Sequence, residues 1–210
     1  MAKAAGYETV WLSNQAKYGS WGAAVTVLAQ EATQQIWINQ HLGNTLDTNY
    51  FDGELVNRLQ EIKPAKRMLI VVHLMGNHNP YSDRYPKAFD RFGTGRAEEY
   101  DNSIYYNDDV MHKLLDTVKT WPNFIGFIYF SDHGEDTQKG HDPANFDFDM
   151  ARIPLYMHFS PAYIKDHPQR FEELKRAQDD VFTNDLIFNT VLGVMGIQYI
   201  VRRFMKKKTT

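Results

Sequence analysis

The sequence predicts an α/β protein, a three-layer α/β/α sandwich with a mainly parallel sheet. Two observations carry this prediction. Short apolar runs rich in β-branched and aromatic residues recur along the chain, and segments with the apolar spacing of amphipathic helices lie between them. This alternation is typical of parallel strands whose two faces are covered by helices.

The elements follow in chain order. Strands are predicted at residues 9–12, 68–74, 124–130 and 153–159. Helices are predicted at residues 21–35, 53–62, 96–118, 170–178 and 184–195. The clearest helix is 96–118, where six apolar or aromatic residues can share one face: Tyr100, Ile104, Met111, Leu114, Leu115 and Val118.

Composition and charge exclude several classes of protein. With 210 residues and 43% hydrophobic content, the chain can bury one sizeable core. Its 23 basic and 26 acidic residues leave a formal charge of -3, so no nucleic-acid partner is expected. The absence of cysteine excludes disulfides, thiolate ligands and a cysteine nucleophile. The longest apolar stretch, residues 186–201, is too short and too polar for a membrane span.

Two long loops, residues 76–95 and 134–145, follow predicted buried strands. His73 and His78 flank the start of the first loop, and Asp132, His133 and His141 accompany the second. In open α/β sheets, ligands bind beyond the carboxyl ends of the strands. We therefore expect these side chains at one edge of the sheet.

Imidazole nitrogen and carboxylate oxygen in such a cluster suit zinc, which is the predicted cofactor. An alternative remains for each residue. Asp132 could cap a turn beside a surface histidine, and the remaining histidines could lie in polar loops without a ligand. The acidic residues Glu135, Asp136 and Asp142 are predicted to face solvent or to orient histidines, not to bind the metal.

Several motifs resemble one family. HLMGNH, followed by a proline and then DRYP, is similar to the H-x-MGSHGP…RYP signature of phosphoethanolamine transferases, a branch of the sulfatase and alkaline phosphatase superfamily. YDNSIYYNDDVMHKLLD and YFSDHGE resemble that family's long helix and its SDHGE metal motif. GYETVWLSNQ, FDGELV, ARIPLYMHFSP and FTNDLIFNTVLGVMGI match further segments in the same order.

The resemblance implies an alkaline-phosphatase/sulfatase-like fold and a division of roles. Asp132 and His133 would bind a zinc ion together with a Glu and a Thr nucleophile. His73, His78 and His141 would bind a second zinc or the substrate phosphate. The Glu and Thr belong to a segment preceding residue 6, so we expect residues 1–210 to be one partial catalytic domain. It would be incomplete at its N-terminus, lack a catalytic nucleophile and the membrane domain, and be inactive alone.

The implied reaction moves phosphoethanolamine from phosphatidylethanolamine to lipid A, a lipopolysaccharide core sugar or a similar surface glycan, through a phospho-threonine intermediate. The full-length enzyme would act at the periplasmic face of the bacterial inner membrane, and this chain would be a soluble fragment of it. Two alternatives stay open: a sulfatase or phosphodiesterase-type hydrolase, and a non-catalytic module that binds metal or phosphate. If the loop histidines bind zinc, His78→Ala should lower zinc stoichiometry more than His41→Ala.

Overall fold

Strands and helices alternate along the parts of the chain that the computed structural model describes, residues 1–17, 23–39 and 50–197. In chain order the elements are β1 (Glu8–Ser13), α1 (Ala23–Gln30), β2 (Gln34–Trp37), α2 (Gly53–Gln60), β3 (Met68–His73), α3 (Arg96–Lys119), β4 (Gly126–Phe130), β5 (Leu155–Phe159), α4 (Pro161–Asp166), α5 (Pro168–Arg176) and α6 (Ile187–Val194). Short 3-10 turns lie in the long connections, including Tyr81–Asp83 and Phe148–Met150.

The strands form two sheets. β1 is the middle strand of a parallel sheet ordered β2-β1-β3, and β4 pairs with β5 in an antiparallel pair. The register of the first sheet sets Ser13 beside His73, so β1 and β3 end at the same level. The predicted α/β class is confirmed. Within the parallel sheet, β3 leads into the first histidine-bearing loop.

One core lies between the strands and the helices α2 and α3. Val10 and Leu12 of β1 pack there with Leu55 and Leu59 of α2 and Leu114 of α3. Phe127 and Tyr129 of β4 pack against the same cluster. Since residues two apart in a strand share a face, this core connects both sheets through one helical layer.

A second core covers the opposite face of β4 and β5. Ile128 of β4 alternates with Phe127 and Tyr129 of the first core. It packs with Met157 and Phe159 of β5, Tyr163 of α4 and Val194 of α6. The β4–β5 pair therefore has helices on both faces, as a three-layer arrangement requires.

Several details differ from the sequence prediction, including the unpredicted helix α4 and the antiparallel pairing of β4 with β5. The helix expected at residues 21–35 ends at Gln30, and residues from Gln34 onward form β2. Residues 21 and 22 of that predicted helix lie outside the described residues. The helical pattern failed because Thr33 bonds to Thr9 of β1, with Thr33 N 2.9 Å from Thr9 Oγ1, and this tertiary contact directs the chain into a strand.

The buried face of α3 is also rotated from the predicted one. Ile104 is 42% exposed, whereas Asn102, Ser103 and Asn107 are buried. The Asn102 amide oxygen accepts hydrogen bonds from the backbone N–H groups of Arg91 and Phe92, at 2.8 and 2.9 Å. A polar side chain can be buried when it has such hydrogen-bond partners. The spacing of apolar residues in a sequence does not reveal these partners.

In the described ranges, every helix is too short or too polar to cross a lipid bilayer.

Leu114→Ala should destabilise the fold by about 2–5 kcal/mol, because Leu114 is only 1% exposed and its removal leaves a cavity between α3 and the sheet. Leu28→Ala is the matched control, since Leu28 is 66% exposed, and its effect should stay within about 0.5 kcal/mol. Urea unfolding followed by circular dichroism measures both. Equal effects would mean that this core does not support the fold.

Candidate metal centre

The second loop begins at the end of β4 and is held in a tight backbone conformation. Ser131 Oγ donates to the carbonyl of His133 at 2.7 Å, and Gly134 N donates to the carbonyl of Met150 at 2.7 Å. A Cβ at position 134 would lie 2.0 Å from the Asp149 carbonyl oxygen and 2.4 Å from that of Arg152. Only glycine fits there, which explains its presence between His133 and Glu135.

Glu135 joins the two loops. Its carboxylate accepts a short hydrogen bond from the Tyr81 hydroxyl of the first loop, and its Oε2 lies 2.6 Å from Nδ1 of His141 in the second. The Glu135 side chain is only 8% exposed, so both partners are needed to compensate for its burial. Burial and the neighbouring Glu135 raise the pKa of Tyr81 to about 12, so Tyr81 remains a donor at neutral pH.

In three histidines, the ring nitrogen Nδ1 faces a hydrogen-bond acceptor. Nδ1 lies 2.6 Å from the Asn79 carbonyl in His78, 2.7 Å from the Gly134 carbonyl in His133, and against the Glu135 carboxylate in His141. These oxygens can only accept, so Nδ1 carries the proton in each ring. In the neutral ring, Nε2 is then free to bind a metal ion.

The three rings are also close in space. The rings of His133 and His141 stack with centroids 4.3 Å apart, and the ring of His78 meets that of His141 edge-on at 5.7 Å. Ligand atoms of His133, Glu135 and His141 all lie within 4.8 Å of one another. Imidazole is a ligand that zinc accepts, so His133 and His141 fit the predicted metal. The Glu135 carboxylate, bound to Nδ1 of His141, lies on the side of that ring away from Nε2 and orients it.

His73 and Asp132 lie beside this group and differ from it. His73 Nδ1 is 3.0 Å from Ser13 Oγ, and its ring packs against Trp11 with centroids 5.4 Å apart. Burial lowers the pKa of His73, and the charge of Asp132 partly opposes this. The Asp132 side chain is 87% exposed, and its Oδ1 lies 4.0 Å from Nε2 of His133. An exposed carboxylate therefore lies near both histidines.

The structure thus brings together His133 and His141, with His78 adjacent and with Asp132 and His73 at the edge. Glu135, predicted to face solvent or to orient a histidine, is buried beside the central group and orients His141 through its carboxylate. Its place directly after the obligatory Gly134 was the signal in the sequence. Asp136 and Asp142 instead accept hydrogen bonds from backbone N–H groups of their own loop.

A cavity of about 580 Å³ opens beside His141. Its walls carry charges of both signs, from Arg96 and Lys139 and from Glu135 and Asp142. Arg96 lies over the Tyr81 ring, 5.4 Å from its centroid, and donates through Nε to the Thr137 carbonyl. The cavity can therefore accept a polar group that carries both charges.

Comparison with known proteins identifies the family of the chain. The family model described as Sulfatase matches residues 1–197, and the chain belongs to that family. Phosphoethanolamine transferase EptC of Escherichia coli (strain K12) is 32% identical over 197 residues, which are 82% of this chain and 34% of that protein. Phosphoethanolamine transferase CptA of Salmonella typhimurium is 28% identical over 224 residues, covering 95% of this chain and 38% of that protein. The chain spans about a third of the length of these curated relatives.

Solved structures are similar over most of the chain. The C-terminal periplasmic domain of EcEptC from Escherichia coli matches with a TM-score of 0.83 and 27% identity, over 95% of this chain and 60% of that one. The same domain in complex with Zn matches with a TM-score of 0.72 and 29% identity, over 80% of this chain and 53% of that one.

The pKa of His73 should fall further in the Asp132→Asn protein, because the charge that opposes the effect of burial is removed. The pKa of His73 in the folded protein lies below the unfolded value of about 6.5. Between these two pKa values the unfolded chain binds more protons, so the stability of the fold should decrease as the pH falls from the unfolded pKa toward the folded one. The pH titration of the His73 Hε1 signal by NMR, in chelator-treated protein, measures the effect. An unchanged or raised pKa in the variant would contradict it.

Proposed function

We propose that the protein containing this chain is a zinc-dependent phosphoethanolamine transferase. The observation that carries the proposal is the group of His78, His133 and His141, each with Nδ1 held by an acceptor and Nε2 free for a metal ion. The zinc complex of a related periplasmic domain and the names of the curated relatives support it.

The residues of this chain have distinct roles in the proposed reaction. His78, His133 and His141 would hold the metal through Nε2, Glu135 fixes the ring of His141, and His73 would face the phosphoryl group from the end of β3. Asp132, 4.0 Å from Nε2 of His133, would be a further ligand. When bound, zinc supplies Lewis-acid stabilisation of the charge that develops on phosphoryl oxygens.

The cavity beside His141 supports a proposal for the substrate class. Phosphoethanolamine carries an anionic phosphate and a cationic ammonium group, and the cavity beside His141 offers both cations and carboxylates. We propose phosphatidylethanolamine as the donor and lipid A, a lipopolysaccharide core sugar or a similar surface glycan as the acceptor. The Thr nucleophile and a Glu ligand would come from a segment outside this chain, so residues 1–210 form part of a catalytic domain that acts at the periplasmic face of the inner membrane.

Zinc binding tests the assignment of the centre. His141→Ala should weaken zinc binding by at least roughly tenfold, because it removes one imidazole and leaves the Glu135 carboxylate without that partner. His112→Ala is the matched control, since the His112 side chain is 72% exposed on α3, where it pairs with Asp116. His41 lies outside the described residues. Isothermal titration calorimetry with zinc measures both. Equal affinities of the two variants would exclude His141 from the centre.

Product analysis separates transfer from hydrolysis. The complete protein, incubated with labelled phosphatidylethanolamine and lipid A, should give labelled lipid A, and His141→Ala should reduce its yield at least about tenfold. Release of free phosphoethanolamine, with no labelled acceptor, would identify a hydrolase instead. Zinc binding by the complete protein without turnover of any phosphoester would favour the non-catalytic module.

A further inference from the structure

A buried carboxylate lies beneath the first loop, outside the group of metal-binding side chains. Asp52 directly precedes α2 and is only 5% exposed. Its Oδ1 accepts a hydrogen bond from Met75 N at 3.0 Å, and its Oδ2 accepts one from Gly76 N at 2.8 Å. Gly76 has a φ of 62°, so the carboxylate holds the backbone where it turns out of β3 toward His78.

Asn14 fixes Asp52 from the other side. Asn14 is 1% exposed, and its Nδ2 donates to Asp52 Oδ1 at 2.8 Å and to the Tyr50 carbonyl at 2.7 Å. Its backbone N donates to the carbonyl of His73 at 2.9 Å. The carboxylate is thereby tied to the ends of both β1 and β3.

Arg84 holds the backbone of the same loop at Pro80, two residues after His78. The Arg84 side chain is only 8% exposed, and its Nε donates to the Pro80 carbonyl at 3.2 Å. Two carboxylates favour its charged form, those of Asp83 and Asp52. The segment between these attachments, from Gly76 to Pro80, contains His78.

The chemistry of this arrangement requires an acceptor. Three N–H donors converge on Asp52, from Asn14, Met75 and Gly76. A carboxylate accepts all three, whereas an asparagine in its place would direct an NH₂ group at one of them. Burial raises the pKa of Asp52, and these hydrogen bonds and the charge of Arg84 oppose that effect. A buried carboxylate is costly, so its partners determine where it can lie.

We propose that Asp52 is a positioning residue for the metal centre: with Arg84, it fixes the loop that sets His78 against His141. The inference rests on the proposed function for its consequence in catalysis. The claim that Asp52 and Arg84 fix the position of the His78 ring does not depend on the proposed function. The effect is exerted through the backbone of Met75 and Gly76, and Asp52 itself does not touch the metal or the substrate.

Asp52→Asn tests the proposal with little change in shape. Zinc affinity of the complete protein should fall roughly 10- to 100-fold, as for other groups that orient metal ligands. The Hε1 signal of His78 should shift, and the amides of Met75 and Gly76 should exchange faster with solvent. Asp109→Asn is the matched control, because it removes a carboxylate from an exposed ion pair on α3, 2.6 Å from Lys113 Nζ. It should leave all three measurements unchanged.

Arg84→Lys provides a second test should Asp52→Asn fail to fold. It keeps the positive charge near Asp52 and removes the Nε donor to Pro80. The same shift of the His78 signal is expected, together with a smaller loss of zinc affinity. If either folded variant lowers the melting temperature but keeps wild-type zinc affinity and an unchanged His78 signal, the role of Asp52 is only structural and the proposal is wrong.

The proposed metal centre and the positioning role of Asp52 can fail separately. If the complete wild-type protein binds no zinc, the proposed metal centre is contradicted, while the His78 signal and the exchange of the two amides still report on the Asp52 contacts. If the wild type binds zinc and the Asp52 variant binds it equally well, the metal centre stands and the positioning role is excluded.

Discussion

The hydrogen bonds from Tyr81 and His141 to the buried Glu135 carboxylate join two loops that are distant in sequence, and the site depends on them. A carboxylate that is 8% exposed requires donors, and here one comes from each loop. The position of the His141 ring is therefore coupled to the hydroxyl group of Tyr81, which lies 54 residues before Glu135 in the sequence. Gly134 reinforces the arrangement, because its backbone lies where a side chain would meet the carbonyl groups of Asp149 and Arg152.

The helix α3 explains why the two loops meet. It packs in the core that contains residues of β1, β3 and β4. The segments that follow β3 and β4 meet where Tyr81 donates to Glu135. Near its N-terminus, Tyr100 packs against Tyr81 with ring centroids 5.1 Å apart, and Asn102 binds the backbone of the first loop at Arg91 and Phe92. One helix thus supports the core and fixes the loop that supplies Tyr81.

The histidines fall into two chemical groups. His78, His133 and His141 have Nδ1 against obligate acceptors, which leaves Nε2 available in the neutral ring. His73 instead lies at the end of β3 beside a serine hydroxyl, and burial lowers its pKa, so it remains uncharged to lower pH. In the proposed function both kinds of ring have a use. A neutral ring with Nε2 free can bind the cation, and a neutral His73 can donate a hydrogen bond to the phosphoryl group.

The sequence alone determined the α/β class, most helices and the membership of two loops in one site, because apolar periodicity and the motif order carry that information. It also identified the histidines, since residue type and spacing at strand ends are local properties. Tertiary structure decided the features that depend on partners distant in sequence. These are the strand β2 where the sequence predicted the end of a helix, the burial of Asn102 where it predicted that of Ile104, and the roles of Glu135 and Asp52. A carboxylate in a sequence has no visible donors, so whether it faces solvent, orients a histidine or holds a loop is fixed only when the chain folds around it.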